Sequence, residues 1–285
     1  MKNNVKEHTI STIINIFYML VTICFFAFFC KKAYEDKHLF GIDMRYVVFV
    51  FFTVIFVNLI KALRLYIVLF GHKFDLDNFI WNYIKTAFVN MMVPYKFGEL
   101  YRGYCIGTMI KSIVDGYIMV VFDRFIDTLA LISIIFCFSF FMDIELSRIY
   151  IFLTFFLVVV ILLYNLFKPL YQYWNHFLIY NKSSKHTLIG LQFLKMCNEA
   201  FSNVSFIVKG RFVMLYILSL IAWTAEIGMI VVVGKAIGGV EVSTYLVDIM
   251  TGNLNFSNMM YTMLCFVFFL MVGIALFLYK LIKEK

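Results

Sequence analysis

The chain carries the sequence AFVNMMVPYKFGELYRGYCIG at residues 87–107 and IMVVFDRFIDTLAL at residues 118–131. Both stretches are strongly apolar, yet they contain polar and charged residues where a helix in hydrocarbon would have none. A charged side chain costs about 2.5–3.5 kcal/mol at the centre of a membrane helix. The charges therefore predict contact with something polar inside the bilayer. The residues concerned are Asn90, Pro94, Gly98, Glu99, Arg102, Asp123, Arg124 and Asp127.

The composition of the whole chain predicts an integral membrane protein. The 285 residues are 63% hydrophobic and 20% aromatic, and the mean hydropathy is +0.90. Soluble proteins are about 45–50% apolar. The formal net charge is +8, but Lys and Arg lie mainly between apolar segments rather than in a basic domain. This distribution favours membrane orientation and contact with anionic headgroups over nucleic-acid binding.

Cysteine and histidine spacing predicts neither a disulfide framework nor a metal site. The six cysteines include no CxxC pair, and the five histidines include no HxxxH cluster. Both kinds of site need closely spaced ligands. We therefore expect no metal and no cofactor.

Six apolar segments are long enough to cross a bilayer, and two others are short or interrupted. The six are residues 10–30, 46–70, 113–142, 149–168, 211–233 and 258–282. The short segments, 78–95 and 242–256, are typical of re-entrant or broken helices. The predicted fold is an all-α integral membrane protein with about six transmembrane helices plus one or two re-entrant helices. We expect a single polytopic domain over residues 1–285.

The distribution of Lys and Arg predicts the orientation. Residues 168–211 carry six of these charges, whereas residues 143–148 and 234–256 carry one each. The loop 31–45, with four, runs against this trend. Under the positive-inside rule both termini are cytoplasmic, and the membrane is the cell inner (plasma) membrane. Residues 169–209 then form an amphipathic cytoplasmic segment between the two halves, with an interfacial helix.

Pro94 and Gly98 predict a break in the first short segment. Pro94 cannot continue a helix without losing a hydrogen bond, and Gly98 allows a tight turn. The half-helix 79–92 should therefore stop, and a new helix should start near Glu99. Its free NH groups, with Lys96 and Arg102 beside them, suit an anion such as phosphate. The alternative is an ordinary cytoplasmic loop with scattered charge.

A charged face follows on the next helix. Asp123 and Asp127 are four residues apart and Arg124 lies between them, so the three meet on one side of the helix. Asp115 continues the stripe two turns earlier. Their function is either to line the path of a polar headgroup or to exchange a proton. The alternative is an internal ion pair that only locks helix packing.

One arginine between two aspartates leaves a negative charge to be matched elsewhere. Lys61 and Arg64 on the second span are the candidates, and their alternative is simple snorkelling towards Gly71. Glu226 lies near the middle of a later span, where a lone carboxylate indicates a functional site. Trp223 beside it is equally typical of helix packing.

The order of these residues resembles the transmembrane, flippase-like domain of the lysylphosphatidylglycerol synthase family. That family has a pattern similar to N-x3-P-x3-GE-x2-R followed by an ER-x2-D helix. The resemblance covers most of the chain, and its specific part lies between residues 58 and 131. The matching residues are Asn90, Pro94, Gly98, Glu99, Arg102, Asp123, Arg124 and Asp127.

Two departures from the family pattern stand out. Asp123 replaces the usual glutamate. The second-half element Pro-Gly-Gly-x-Gly-x-x-Glu is absent, and MTGNLNFSNMMYT stands at residues 250–262, with Gly252 and Ser257. A decayed inverted repeat would account for the position of this segment. We also expect no soluble aminoacyltransferase domain, so lysyl transfer is not predicted.

The resemblance implies a membrane transporter of the flippase kind. It would move a polar lipid between leaflets, either an aminoacyl-phospholipid or a polyprenyl-phosphate-linked sugar. The alternative is a membrane-embedded transferase or an accessory subunit in lipid-linked glycan biosynthesis. Expected partners are a membrane phospholipid or a lipid-linked sugar, with envelope biosynthesis enzymes or a second copy of the chain as further candidates. No nucleic-acid partner is expected.

Overall fold

The computed structural model describes residues 2–35, 44–92, 97–142, 148–180, 185–237 and 256–283. Within these ranges only residues 70–75 and 110–112 lie outside helices, and no strand is present, which confirms the predicted all-α class. The helices in the described ranges are α1 (Lys2–Glu35), α2 (Met44–Leu69), α3 (Leu76–Met92), α4 (Phe97–Met109), α5 (Ile113–Met142), α6 (Arg148–Tyr180), α7 (Lys185–Ile237) and α8 (Phe256–Lys283).

Several of these helices have the length and apolar character of membrane spans. Three are long and apolar enough to cross a bilayer: Met44–Leu69, Tyr150–Tyr180 and Val208–Val232. Shorter apolar stretches cover Ser11–Cys24 in α1 and Met263–Leu276 in α8. Large apolar side chains on α2, α6 and α7 point outwards, as expected where lipid rather than water surrounds the protein. The chain is therefore an all-α membrane protein.

The main core joins α2 to five other helices. It contains buried apolar side chains from each of them, for example Leu65 (α2), Tyr83 (α3), Ile126 (α5), Leu215 (α7) and Phe269 (α8). Helix α4 contributes Ile106 to the same cluster. This core surrounds the polar residues described below.

Two smaller clusters attach the remaining helices. The second half of α5 packs against α6 and α7 through residues that include Leu131, Leu157 and Trp223. Helix α1 packs against α3 and α4, where the rings of Tyr18 and Tyr101 lie 4.4 Å apart between centroids.

Helices α2 and α7 run antiparallel. Arg211, early in the apolar part of α7, donates a hydrogen bond to the Phe70 carbonyl just after the end of α2. Further along α7, Glu226 contacts Lys61, which lies earlier in α2. The polar residues of these two helices are thereby placed at matching heights.

The described part of residues 169–209 is helical and continuous with the spans on either side, while its predicted place at the membrane interface stays a prediction. Helix α6 continues through Pro169 to Tyr180, and α7 is one helix of 53 residues that also contains the later span. At 1.5 Å per residue, α7 is about 80 Å long. The two helices pack side by side, with Phe167 stacked on Phe201 at 4.5 Å. This packing offsets the hydrogen bond that Pro169 removes.

Candidate functional site

The predicted break between two helices falls on residues 93–96, which lie outside the described part of the chain. Helix α3 ends at Met92 and α4 begins at Phe97, two residues before the expected start. Pro94 and Lys96, assigned to the break from the sequence, lie outside the described residues. A Cβ atom on Gly98 would overlap the backbone of Asn90, so glycine is what lets the start of α4 pack against the end of α3.

Glu99 lies in the first turn of α4, where the partial positive charge of the helix N-terminus favours a carboxylate. The Asn90 side-chain amide donates to Glu99 Oε1 at 3.4 Å. The side-chain oxygen of Asn90, Oδ1, is buried and has no hydrogen-bond partner in the described part of the chain. A buried acceptor without a donor is rare in proteins, so this atom is a candidate contact for a ligand.

Arg64 on α2 binds two carboxylates of α5. Its Nε donates to Asp123 Oδ1 at 2.7 Å and its Nη2 donates to Asp123 Oδ2 at 3.0 Å, which makes a bidentate pair. Its Nη1 donates to Asp127 and, at 2.7 Å, to the Ser219 hydroxyl of α7. Arg64 is 1% exposed, so the alternative of snorkelling towards Gly71 is wrong for this side chain.

Arg124 connects the same two aspartates to the helix break. Its Nη2 lies 3.0 Å from Asp123 Oδ2 and its Nη1 lies 3.4 Å from Asp127 Oδ2. Its Nε lies 3.2 Å from Glu99 Oε2, although the pair is not aligned for a hydrogen bond. The Arg124 side chain is 29% exposed and that of Glu99 is 14% exposed. Arg124 is therefore the most exposed member of these ion pairs, followed by Lys61 at 25%.

Lys61 and Glu226 form a second ion pair, with 2.5 Å between Nζ and Oε1. Lys61 therefore pairs with Glu226, while Arg64 supplies the second positive charge that the two aspartates require. The Lys61 ammonium also lies 5.8 Å from the centre of the Trp223 ring. Trp223 Nε1 donates to the Asp127 carbonyl at 3.2 Å, so this tryptophan both packs and joins the two ion-pair groups.

Arg102 differs from the other buried cations. It is 6% exposed, its guanidinium lies 5.9 Å from the centre of the Tyr83 ring, and it forms no ion pair with any described carboxylate. Its Nε has no hydrogen-bond partner among the described residues. A guanidinium held this way offers an unused fork of donors to an anion.

The network as a whole has balanced charge. Three cations, Lys61, Arg64 and Arg124, pair with the four carboxylates Glu99, Asp123, Asp127 and Glu226, and the unpaired Arg102 supplies the fourth positive charge. Buried charges are tolerated when they are paired in this way. Only Arg102 lacks a carboxylate partner within this set. An added anion is therefore expected to bind at Arg102.

Some residues fall outside the sequence expectations. Asp115 lies apart from the network and accepts a hydrogen bond from Asn203 at 2.7 Å. Ser219 was missed as a ligand of Arg64. It could have been found from its spacing in the sequence, because Ser219, Trp223 and Glu226 follow at i, i+4 and i+7 on one face of α7.

Within the described ranges, His, Cys, Asp and Glu form no group of three that could hold a metal ion.

Comparison with known proteins supplies a family. The family described as Lysylphosphatidylglycerol synthase TM region matches residues 20–260 of this chain. No curated protein and no solved structure matches it. The matched range includes every residue of the network described above.

Proposed function

Because the chain belongs to the Lysylphosphatidylglycerol synthase TM region family, we propose that it translocates a polar lipid between the two leaflets of a membrane. The lipid would be an aminoacyl-phospholipid or a polyprenyl-phosphate-linked sugar. Both have a phosphate next to a polar headgroup and a long apolar tail. A protein that moves them must offer polar contacts to the headgroup while the tail remains in hydrocarbon.

The observation that carries this proposal is Arg102. It is a buried cation with an unpartnered Nε and no ion pair to a described carboxylate, and it lies beside the break between α3 and α4. Phosphate matches the planar fork of a guanidinium. The unpartnered Asn90 oxygen, nearby on α3, would accept a headgroup hydroxyl or amine. Lys96 would add positive charge at the break, as its sequence position suggests.

Arg124 and Glu99, on the side of the network next to the start of α4, would contact the rest of the headgroup. Glu99 is held by Arg124 through a contact that is not a hydrogen bond, so a cationic group of the lipid could replace Arg124 there at modest cost. Arg64, Asp123 and Asp127 would hold Arg124 in position. Lys61 and Glu226 would line the headgroup path on the side of α7.

A flipping assay tests the role of Arg102. The purified chain is reconstituted in liposomes with a headgroup-labelled phospholipid, and a membrane-impermeant quencher reports leaflet exchange. We expect Arg102→Gln to lower the exchange rate by about tenfold, the loss that follows when a charge-assisted hydrogen bond of about 1.4 kcal/mol is removed. Arg102→Lys should retain part of the rate. The matched control is Lys195→Gln, because Lys195 is 78% exposed on α7.

The same assay separates the alternative functions. Normal exchange by a folded Arg102→Gln protein would contradict the site assignment. A wild-type chain that exchanges no lipid, but forms a new product from a lipid-linked sugar, would indicate the embedded transferase. Absence of both activities in the purified chain would favour the accessory subunit in lipid-linked glycan biosynthesis.

A further inference from the structure

A second polar cluster lies on the opposite face of the α3–α4 pair, against α1. Lys85 Nζ donates to Asn15 Oδ1 at 2.8 Å, and the Tyr101 hydroxyl donates to the same oxygen at 2.6 Å. The Lys85 ammonium lies 5.2 Å from the centre of the Tyr101 ring. Tyr18 packs on that ring and donates to the Phe97 carbonyl at 3.3 Å. Three helices therefore meet around one amine.

Lys85 forms no ion pair with a carboxylate of the described residues, unlike Lys61 on α2. An ammonium has three donor positions, and Asn15 takes one of them. Asn15 and the Tyr101 ring are both neutral, so neither balances the charge. A cation in apolar surroundings without a counter-ion is costly, and the described residues supply no anion to this cluster.

The position of the cluster limits what that anion can be. Asn15 lies five residues after Ile10, where the apolar part of α1 begins, and so about 8 Å along the helix from that point. Lys85 and Asn15 are half-buried, while Ile16 and Met19 beside them on α1 are 53% and 63% exposed. The crevice thus opens towards lipid. The anion abundant at that depth is the phosphate of a phospholipid, which a long amine reaches by extending towards the headgroups.

We propose that the crevice between α1 and α3 is a second lipid-binding site, in which Lys85 binds the phosphate of an anionic phospholipid and Asn15 and Tyr101 position the amine. This site is separate from Arg102, which packs on Tyr83 on the other side of the α3–α4 pair. The proposal does not depend on lipid translocation. A chain that moves no lipid would still retain a phospholipid at α1.

Lipid retention by the purified full-length chain tests the site. Native mass spectrometry compares binding of phosphatidylglycerol with binding of diacylglycerol, which has the same tails and no phosphate. We expect Lys85→Gln to retain phosphatidylglycerol about tenfold less, as loss of one charge-assisted hydrogen bond predicts. Lys85→Arg should retain it, and diacylglycerol binding should not change. Lys73→Gln is the control, because it removes an equal charge from an exposed loop position.

Three results would overturn the proposal. The first is equal phosphatidylglycerol retention by Lys85→Gln and Lys73→Gln. The second is displacement of the lipid by inorganic phosphate, which would show a free-anion site instead. The third does not need a folded variant: phosphatidylglycerol with a photoreactive headgroup should label α1 and α3 of the wild-type chain, and labelling confined to other helices contradicts the site.

Discussion

Arg64 is held at the centre of the buried network by acceptors from two other helices. Asp123 and Asp127 of α5 and Ser219 of α7 surround its guanidinium, which leaves the side chain 1% exposed. Burial removes the hydration of all these charges, so each depends on its partners for compensation. Removing one partner therefore costs more than the intact pair contributes.

Replacement of Arg64 should destabilise the fold. Arg64→Ala leaves Asp123 and Asp127 with Arg124 alone, and we expect a loss of about 3–5 kcal/mol in the free energy of unfolding. Arg64→Lys should lose less, because it keeps the charge but not the bidentate geometry. Unfolding of the detergent-solubilised protein measures both. The exposed Lys195–Glu199 pair, with 3.9 Å between its charged atoms, is the control. Lys195→Ala should cost less than about 1 kcal/mol. An equal loss of unfolding free energy in Arg64→Ala and Lys195→Ala would contradict the central role of Arg64.

From the sequence it could be predicted that the two aspartates need a second cation, but not that Arg64 supplies it. Asp123, Arg124 and Asp127 show an excess negative charge, and Lys61 and Arg64 were the two candidates to balance it. Which of them does so depends on how α2 and α5 are rotated and aligned, and periodicity does not give this. Ser219 was missed because a single serine in an apolar helix usually bonds to its own backbone.

At the scale of helices, close packing of α3, α4 and α5 sets how the start of α4 lies against the end of α3 and against α5. Gly98 lies against the backbone of Asn90, and Gly116 of α5 lies against the backbone of Gly107 in α4. These contacts leave no room for a side chain. They bring Glu99 and Arg102 next to the charged face of α5.

A methyl group at Gly98 should disturb this arrangement. Gly98→Ala must move α4 away from α3, which would separate Glu99 from Arg124 and lower both thermal stability and lipid exchange. Gly228→Ala is the matched control, because a Cβ atom there has open space within 4 Å. That substitution should be neutral, or stabilise by up to about 1 kcal/mol through helix propensity. Melting of the two variants in detergent compares them directly, and an unchanged melting temperature for Gly98→Ala would argue against the close approach.

The division of this region into two helices, α3 and α4, could be predicted from the sequence, whereas the continuity of α7 could not. Pro94 and Gly98 act locally, so their effect on the backbone can be read from neighbouring residues. The predicted span 149–168 ends just before Pro169, yet α6 continues to Tyr180, and Phe167 stacks there on Phe201 of α7. That contact joins residues far apart in the sequence and has no local signature.

Cross-linking tests the side-by-side packing of α6 and α7. A Cβ atom on Gly190 would lie 3.3 Å from Leu178 Cδ1, so the two positions face each other. In a cysteine-free background, the pair Leu178→Cys and Gly190→Cys should form a disulfide readily. The pair Leu178→Cys and Ile189→Cys should not, because Ile189 is 61% exposed on the outer face. Equal cross-linking of both pairs would show that these helix ends do not keep a fixed register.

At the scale of the whole molecule, the charge distribution and the helix directions agree on which charged segments lie on the same side of the membrane. Since α2 and α7 are antiparallel, the end of α2 at Phe70 lies beside Arg211. The positively charged residues 168–211 are then on the same side as Lys73. The positive-inside rule predicts that this side is cytoplasmic. In the corresponding second-half segment, Gly252 to Ser257, residues 252–255 lie outside the described residues and Ser257 lies in the first turn of α8, so the predicted inverted repeat stays a prediction.

Cysteine labelling in intact cells checks this orientation. In a cysteine-free background, Lys73→Cys and Lys195→Cys should react with a membrane-impermeant maleimide only after lysis, because both positions would face the cytoplasm. Arg148→Cys, at the start of α6, should react in intact cells, because the apolar length of α6 separates it from Lys195. Reaction of Lys73→Cys and Lys195→Cys alone in intact cells would reverse the orientation and place the phosphate site of Lys85 in the outer leaflet. Reaction of Arg148→Cys and Lys195→Cys from the same side would mean that α6 does not cross the membrane, and its exposed apolar face would then need a protein partner.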